Sequence, residues 1–258
     1  MKFMIAAHAD VGIKKNTNQD SYMIKVAQTK KGRVCLCVIC DGMGGLAKGE
    51  LASAAMIRSF EKWFEHELPK MIMKEWDPEV LKEEWYKLIR KENMEIREYA
   101  NKWGCRMGTT AVACLFIQGK YYLVNVGDSR AYAVLDKVYR LTKDQSLAQY
   151  EIDQGRWPAD QAEAHPQRNV LLQCIGASES VFPDFYQGNI VPGTVFLLCS
   201  DGFRHEVTEE EIYEKLNNQV LEDEKKMKEQ IVWLTELVKD REELDNISAI
   251  AIKICQGE

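Results

Sequence analysis

The chain has 258 residues, 46% of them hydrophobic and 29% charged, with a formal net charge of −6. That is ample apolar material for a core, and the acidic balance argues against a nucleic-acid backbone or an anionic membrane as principal partner. No apolar run is long enough to span a bilayer, and Met1 to Ala9 lacks a secretory apolar region, so a cytoplasmic protein is expected.

Three strands are expected over 2–9, 20–27 and 33–40, with a polar loop from Gly12 to Thr17 ahead of Asp20. The third strand is the continuous apolar run Val34 to Cys40, which suits burial on both faces. It delivers Asp41 to Gly42, Gly44 and Gly45, where the backbone can approach a ligand closely. Taken alone, Asp-Gly reads as readily as a plain turn. Cys35-x-Cys37-x-x-Cys40 invites a metal reading. In a strand, however, Cys35 and Cys37 share one face and Cys40 takes the other, and no second pair of ligands stands at zinc spacing. These thiols, with Cys114 and Cys199, read as small core residues.

Helices are expected over 46–67 and 77–103, the second opened by Asp77 as N-cap and Pro78 behind it. Leu81, Trp85, Leu88, Ile89, Ile96 and Tyr99 recur there at helical spacing, as an apolar face for a sheet. A meander of three or four strands follows over 108–141. Residues 144–175 are charged and Gln-rich, with one short helix near 147–154, a long segment of the kind that is functional or mobile. Strands return at 182–190 and 194–199. Thr208-x-x-Glu211 is a capping box for a helix, and a second helix near 222–240 turns Met227, Ile231, Leu234, Leu237 and Val238 inward. A last strand covers 247–255. Strand blocks beside two helix pairs imply a layered sandwich with antiparallel sheets.

One pattern recurs through this order. Asp20, Asp41, Asp128, Asp201 and Asp245 each lie beside Gly or Asn at a strand end. If those ends meet, the carboxylates repel one another unless cations neutralise them. Oxygen ligands without nearby His or Cys select Mg²⁺ or Mn²⁺.

The stretches that carry these aspartates resemble, in order, the motif series of the PP2C-type metal-dependent protein phosphatases in their bacterial form. They are NQDS (Asn18 to Ser21), CDGMGG (Cys40 to Gly45), GTT (Gly108 to Thr110), VGDSRAY (Val126 to Tyr132), LTKDQS (Leu141 to Ser146), AHPQRNVL (Ala164 to Leu171), SDG (Ser200 to Gly202) and DNIS (Asp245 to Ser248). The resemblance covers nearly the whole chain. It implies an α+β fold, an α-β-β-α sandwich whose two mostly antiparallel sheets are flanked by helix pairs, as a single catalytic domain over 1–258 with a flap at about 144–175 that helps choose substrates. It implies that Asp41 bridges two metal ions and that the Gly42 carbonyl binds one of them. Asp201 and Asp245 would hold the other, with Asp20 acting mostly through water. Asp128 would help Asp201 hold a third, weaker ion. The implied cofactors are Mn²⁺ or Mg²⁺, which activate a bridging water as the nucleophile.

Three positions depart from the pattern. Lys15 stands where the family has a phosphate-binding arginine, giving a point charge in place of a two-pronged fork, with Lys14 as a possible substitute. Met43 replaces the histidine of animal-type members and cannot donate a proton. Gln145 stands where bacterial members usually have His. Thr109, Thr110 and Arg130 read as structural, as do His8, His66 and His205; His165, in the flap, is the histidine most open to another role. The expected activity is hydrolysis of phosphoserine and phosphothreonine in proteins by a monomer that opposes a bacterial Ser/Thr kinase. The alternatives are a pseudophosphatase kept as a phosphoprotein-binding module and, below it, a different metal-dependent phosphoesterase.

Overall fold

A computed structural model describes residues 1–43, 48–158, 165 and 167–255. Gly44 and Gly45, the expected helix start at Leu46, and Ala164 and Pro166 of the flap lie outside the described residues. Two five-stranded sheets form the centre. One has the order β1 (Lys2–Asp10), β12 (Ile247–Cys255), β11 (Val195–Cys199), β8 (Arg130–Val134), β9 (Val138–Arg140). The other runs β10 (Asp184–Asn189), β7 (Lys120–Val126), β6 (Ala111–Ile117), β3 (Gly32–Cys40), β2 (Ser21–Thr29). Every pairing in both is antiparallel. A small ribbon pairs β4 (Gly42–Met43) with β5 (Gly108–Thr109).

The unbroken apolar run of β3 has a simple cause: both of its faces are covered. Cys35, Cys37 and Ile39 enter a core between the sheets with Phe116, Phe196, Leu198 and Ile252. Val34, Leu36, Val38 and Cys40 face the helices α1 (Gly49–His66) and α3 (Pro78–Lys102). The sheet β1-β12-β11-β8-β9 is covered by α6 (Glu209–Leu216) and α7 (Glu224–Asp240), through Ile212, Leu216, Met227, Ile231 and Leu234. The layering is therefore α-β-β-α. The division of the thiols between faces of β3 follows the alternation of a strand.

Capping follows the local sequence. Asp77 accepts from the Glu79 amide at 2.9 Å, and Thr208 and Glu211 close a reciprocal capping box. The expected helix over 46–67 ends at His66, and a short α2 (Leu68–Met73) follows with Pro69 in its first turn. The buried stripe of α3 runs to Ile96 and Ala100, but Tyr99 lies off it. Trp85 is fully buried against Phe60 and Trp63, whereas Tyr99 is 42% exposed and leans on Trp103 and Lys48. The flap contributes α4 (Leu147–Asp153), and α5 (Asp201–Arg204) is a single turn after β11.

Antiparallel register gathers the aspartates at one end. Ser21 faces Cys40, Cys199 faces both Ala249 and Arg130, and Ala111 faces Val126. The starts of β2, β8 and β12 and the ends of β3, β7 and β11 therefore share a rim.

Candidate metal centre

Asp41 sits at the end of β3 with its backbone held from both sides. Its amide donates to Thr110 Oγ1 at 3.0 Å, and its carbonyl accepts from the Thr110 amide at 2.9 Å and from Thr109 Oγ1 at 3.0 Å. The two threonines do more than fill a strand, since they lock the aspartate's position. Gly42 is forced by space: a Cβ there would lie 2.3 Å from the Gln19 carbonyl and 2.4 Å from that of Gly49.

Asp20 precedes β2 in a turn that its own amide closes on Asn18 Oδ1 at 3.0 Å. Asn246 fastens that turn to β12. It accepts from the Gln19 amide at 2.9 Å and donates to the Val11 carbonyl at 2.9 Å. Asp245, next to it, has its amide held by Glu243 at 2.9 Å. Asp201 opens α5, with His205 Nε2 3.8 Å from Oδ2, while His205 Nδ1 lies 3.3 Å from Glu243. Asp128 sits in the β7–β8 turn, after Gly127 with φ of 100°. Its partner is Arg204, at 3.3 Å. Lys15 Nζ lies 3.0 Å from Asp245 Oδ1, and Lys14 and Lys15 flank an open cleft with Asn169 and Glu242.

Electrostatics mark this rim as strained by like charge. Burial, then the charges of Asp201, Asp20 and Asp128, push the Asp41 carboxyl well above the usual carboxylate range. Burial and neighbouring Asp201 raise Asp128 to about 7 against the pull of Arg204. Burial also raises Asp20 to about 7, helped by Asp201 and Asp245. The Ser200 and Ser248 hydroxyls oppose that rise without closing a hydrogen bond to it: both Asp20 carboxylate oxygens are buried and unpartnered, as is Asp201 Oδ1. Burial is also the largest influence on Asp201, but His205 and Arg204 outweigh it and hold this carboxyl below its ordinary value.

These orphaned oxygens fit a hard divalent cation, which would satisfy them and relieve the repulsion. Among the described residues no three such side chains already form a closed ligand set; Lys15 and Arg204 lie on Asp245 and Asp128 instead. Thiols take no part. Burial pushes Cys40, beside Asp41, well above its ordinary value, and Cys174 and Cys199 to about 12.

The sequence reading missed several residues that support this rim. Arg204 and Glu243 orient its carboxylates, and each lies within four residues of a motif aspartate, the only signal available; Asn246 stood inside the DNIS motif, but its role in fastening the Asp20 turn was not read. Arg130 is structural as expected, forking onto Asp144 at 2.7–3.1 Å. Gln145 exchanges hydrogen bonds with Gly127, its side-chain oxygen accepting from the Gly127 amide at 2.8 Å. His165 stacks on Trp157, with centroids 3.7 Å apart.

A double antiparallel sandwich with buried aspartates on one rim defines a class of metal-dependent hydrolases. Residues 9–238 match the family model described as protein phosphatase 2C. The chain belongs to that family. A putative protein phosphatase 2C-type of Streptococcus pyogenes serotype M6 is 30% identical over 248 residues, 95% of this chain and 94% of its own length. Serine/threonine protein phosphatase PstP of Mycobacterium tuberculosis is 31% identical over 214 residues, 82% of this chain but 38% of PstP, so the chain spans well under half of that relative. The solved catalytic domain of PstP, in complex with two manganese ions, superposes with a TM-score of 0.79 at 28% identity, covering 98% of this chain and 99% of that one. Serine/threonine phosphatase Stp1 of Staphylococcus aureus gives 0.84 at 27% identity, over 100% of this chain and 96% of that chain. The family is metal-dependent. Among the described residues, no helix is long and apolar enough to cross a membrane.

Proposed function

We propose that this chain hydrolyses phosphoserine and phosphothreonine in proteins, with Mn²⁺ or Mg²⁺ as cofactor. The observation that carries the reading is the set of buried, unpartnered carboxylate oxygens of Asp20 and Asp201 beside Asp41, whose ionised form its neighbours oppose. Asp41, the Gly42 carbonyl, Asp201 and Asp245 hold two ions, Asp20 acts beside them, and Asp128 with Asp201 serves a third. When bound, such ions lower the pKa of water and offset charge on phosphoryl oxygens.

The chain's own residues then have distinct work. The Thr109 and Thr110 contacts keep Asp41 fixed, so its carboxylate needs no reordering when substrate arrives. Lys15, or Lys14 beside it, meets the outer oxygens of the phosphoryl group as a point charge. His205 and Glu243 orient Asp201 and Asp245 from behind. Met43 has no proton to give, so the leaving oxygen takes its proton from elsewhere.

The whole chain, 1–258, acts as one catalytic domain and as a monomer. The flap at 144–175 selects among phosphoproteins, because Asn169 borders the cleft that holds Lys14 and Lys15. A cytoplasmic setting opposite a Ser/Thr kinase fits a chain of net charge −6 without a membrane-crossing helix among its described residues. The pseudophosphatase alternative is disfavoured because all five aspartates stand on the rim. Turnover of para-nitrophenyl phosphate and of a phosphothreonine peptide, with Mn²⁺, with Mg²⁺ and with neither, tests the reading. Metal-dependent release of phosphate from both is expected. Tight phosphopeptide binding with no release under any metal would replace the enzyme by the binding module.

A further inference from the structure

Beside the metal rim, under α4, lies a cavity of ≈ 230 Å³ lined by Arg130, Arg140 and Arg204, with Asp144, Gln149 and Ile152. Its charge is unbalanced. The three guanidiniums converge on a single carboxylate, Asp144, at 2.7 Å from Arg130, 2.7 Å from Arg140 and 3.6 Å from Arg204. Arg204 also serves the metal rim, 3.3 Å from Asp128 and close enough to Asp201 to help hold its carboxyl below the ordinary value. Arg168 also lines the cavity, paired with Glu206 at 3.6 Å, so four guanidiniums border it against one lining carboxylate among the described residues, Asp144.

The donors are not used up either. Arg204 has only 8% of its side chain exposed, and its Nε has no hydrogen-bond partner. Arg140 Nη2 is buried as well and is paired with Asp144 Oδ1 at 2.7 Å. The excess of guanidinium over carboxylate on the cavity wall is what calls for an anion. Burial, and then the nearby Arg130 and Arg204 charges, hold Arg140 below its ordinary value despite Asp144. An anion would relieve that crowding. Planar guanidiniums converging from several sides suit a tetrahedral oxyanion, whose oxygens can take two donors from each.

We propose that the Arg130–Arg140–Arg204 cavity binds a phosphate-class oxyanion, separate from the metal rim but joined to it through Arg204. The phosphate is either free inorganic phosphate or a second phosphoryl group on the substrate chain; this choice of source rests on the phosphatase reading, while the anion site does not. An anion in the cavity competes with Asp128 for Arg204 and so releases Asp128 toward the rim.

Calorimetric titration of EDTA-treated protein with inorganic phosphate tests the site with the metal rim unloaded, so its outcome does not depend on any turnover. Saturable binding is expected, falling roughly tenfold or more in Arg140→Gln, which removes charged donors. Gln149→Glu, nearly the same shape and also lining the cavity, should weaken it similarly by charge alone, and circular dichroism on both variants checks that they fold. No binding by the wild-type protein overturns the proposal, as does equal binding by wild type and both folded variants. A response matched by sodium chloride at equal ionic strength also overturns it, since that is screening without a site. A peptide with two phosphoserines separates the sources: binding tighter than inorganic phosphate and lost in Arg140→Gln supports a substrate phosphate. Weaker binding than inorganic phosphate supports a free-phosphate site.

Discussion

Lys15 Nζ lies 3.0 Å from Asp245 Oδ1, so the candidate phosphate-binding cation rests on a candidate metal ligand. Its ammonium is held above its ordinary value: burial works against the charge, but the hydrogen bond to Asp245 and the charges of Asp245, Asp41 and Asp201 more than offset it. Lys15 thus stays cationic where a phosphoryl group would arrive.

Lys15→Ala is predicted to lower kcat/KM roughly ten- to a hundredfold, since a hydrogen bond to a charged group contributes about 1.5–3 kcal/mol. Lys15→Arg should be neutral or lower KM, because a guanidinium holds two oxygens at once. Steady-state kinetics on both, and on Lys14→Ala, are the measurement. Wild-type rates in Lys15→Ala with a failing Lys14→Ala would move the contact to Lys14.

Removing metal should abolish turnover, and it should also change how stability responds to pH. Asp20 and Asp128 have folded values of about 7, above an unfolded value near 3.9. Between those limits the folded state binds more protons, so metal-free protein loses stability as pH rises from about 4 to about 7. Saturating Mn²⁺ should reverse this loss, by roughly 2.7 kcal/mol at a hundredfold excess over Kd. Thermal melts at several pH values, with and without EDTA, read it. Coincident curves would mean that these carboxylates do not face a cation.

Asp41→Asn and Asp201→Asn should each cost at least about a hundredfold in rate, as each removes an anionic ligand. The two should differ in the metal-free state. Asp41 is destabilised as an anion by its neighbours, so its Asn variant should melt higher than wild type in EDTA. Asp201 is stabilised as an anion by His205 and Arg204, so its Asn variant should melt lower. Asp128→Asn should slow turnover while leaving manganese binding by Asp41 and Asp201 in place, which metal titration reads. Full activity in Asp128→Asn would reduce Asp128 to a turn residue.

Asp144→Asn is predicted to destabilise by about 3–5 kcal/mol, because it leaves buried guanidiniums without their anion. Burial alone would raise the Asp144 carboxyl, but the Arg130 hydrogen bond with the Arg204, Arg130 and Arg140 charges holds it below its ordinary value. Its contribution is therefore present above the unfolded value near pH 4 and lost as pH falls through the lower folded value. Denaturant melts of the variant at pH 7 and pH 3 should differ less than those of wild type. An equal pH response in both would assign the acid sensitivity to other carboxylates.

Much of the fold was legible because local patterns are read by local physics. The alternation along β3, the capping box at Thr208 and the apolar stripes of α3 and α7 each report their own surroundings. Where local cues weakened, the reading slipped. The short α2 that follows the expected 46–67 helix went unread, Tyr99 kept helical spacing but lies 42% exposed beside the buried Ala100, and the two-residue β4 and β5 were too short to leave a periodicity. The ordered motif series carried the five aspartates, since turn residues beside each carboxylate are adjacent to it in sequence.

Sequence by itself determined the layers, the oxygen character of the candidate ligands and the identity of the rim aspartates. Tertiary structure alone decided which cation faces which carboxylate. Lys15 meets Asp245, Arg204 meets Asp128, and Arg130 meets Asp144, pairs separated in sequence for which no local pattern exists. Asn246, which ties the Asp20 turn to β12, belongs to the same group. Such pairs depend on the antiparallel register that brings strand ends together, and a charge's environment is set by whatever that register places within a few ångströms.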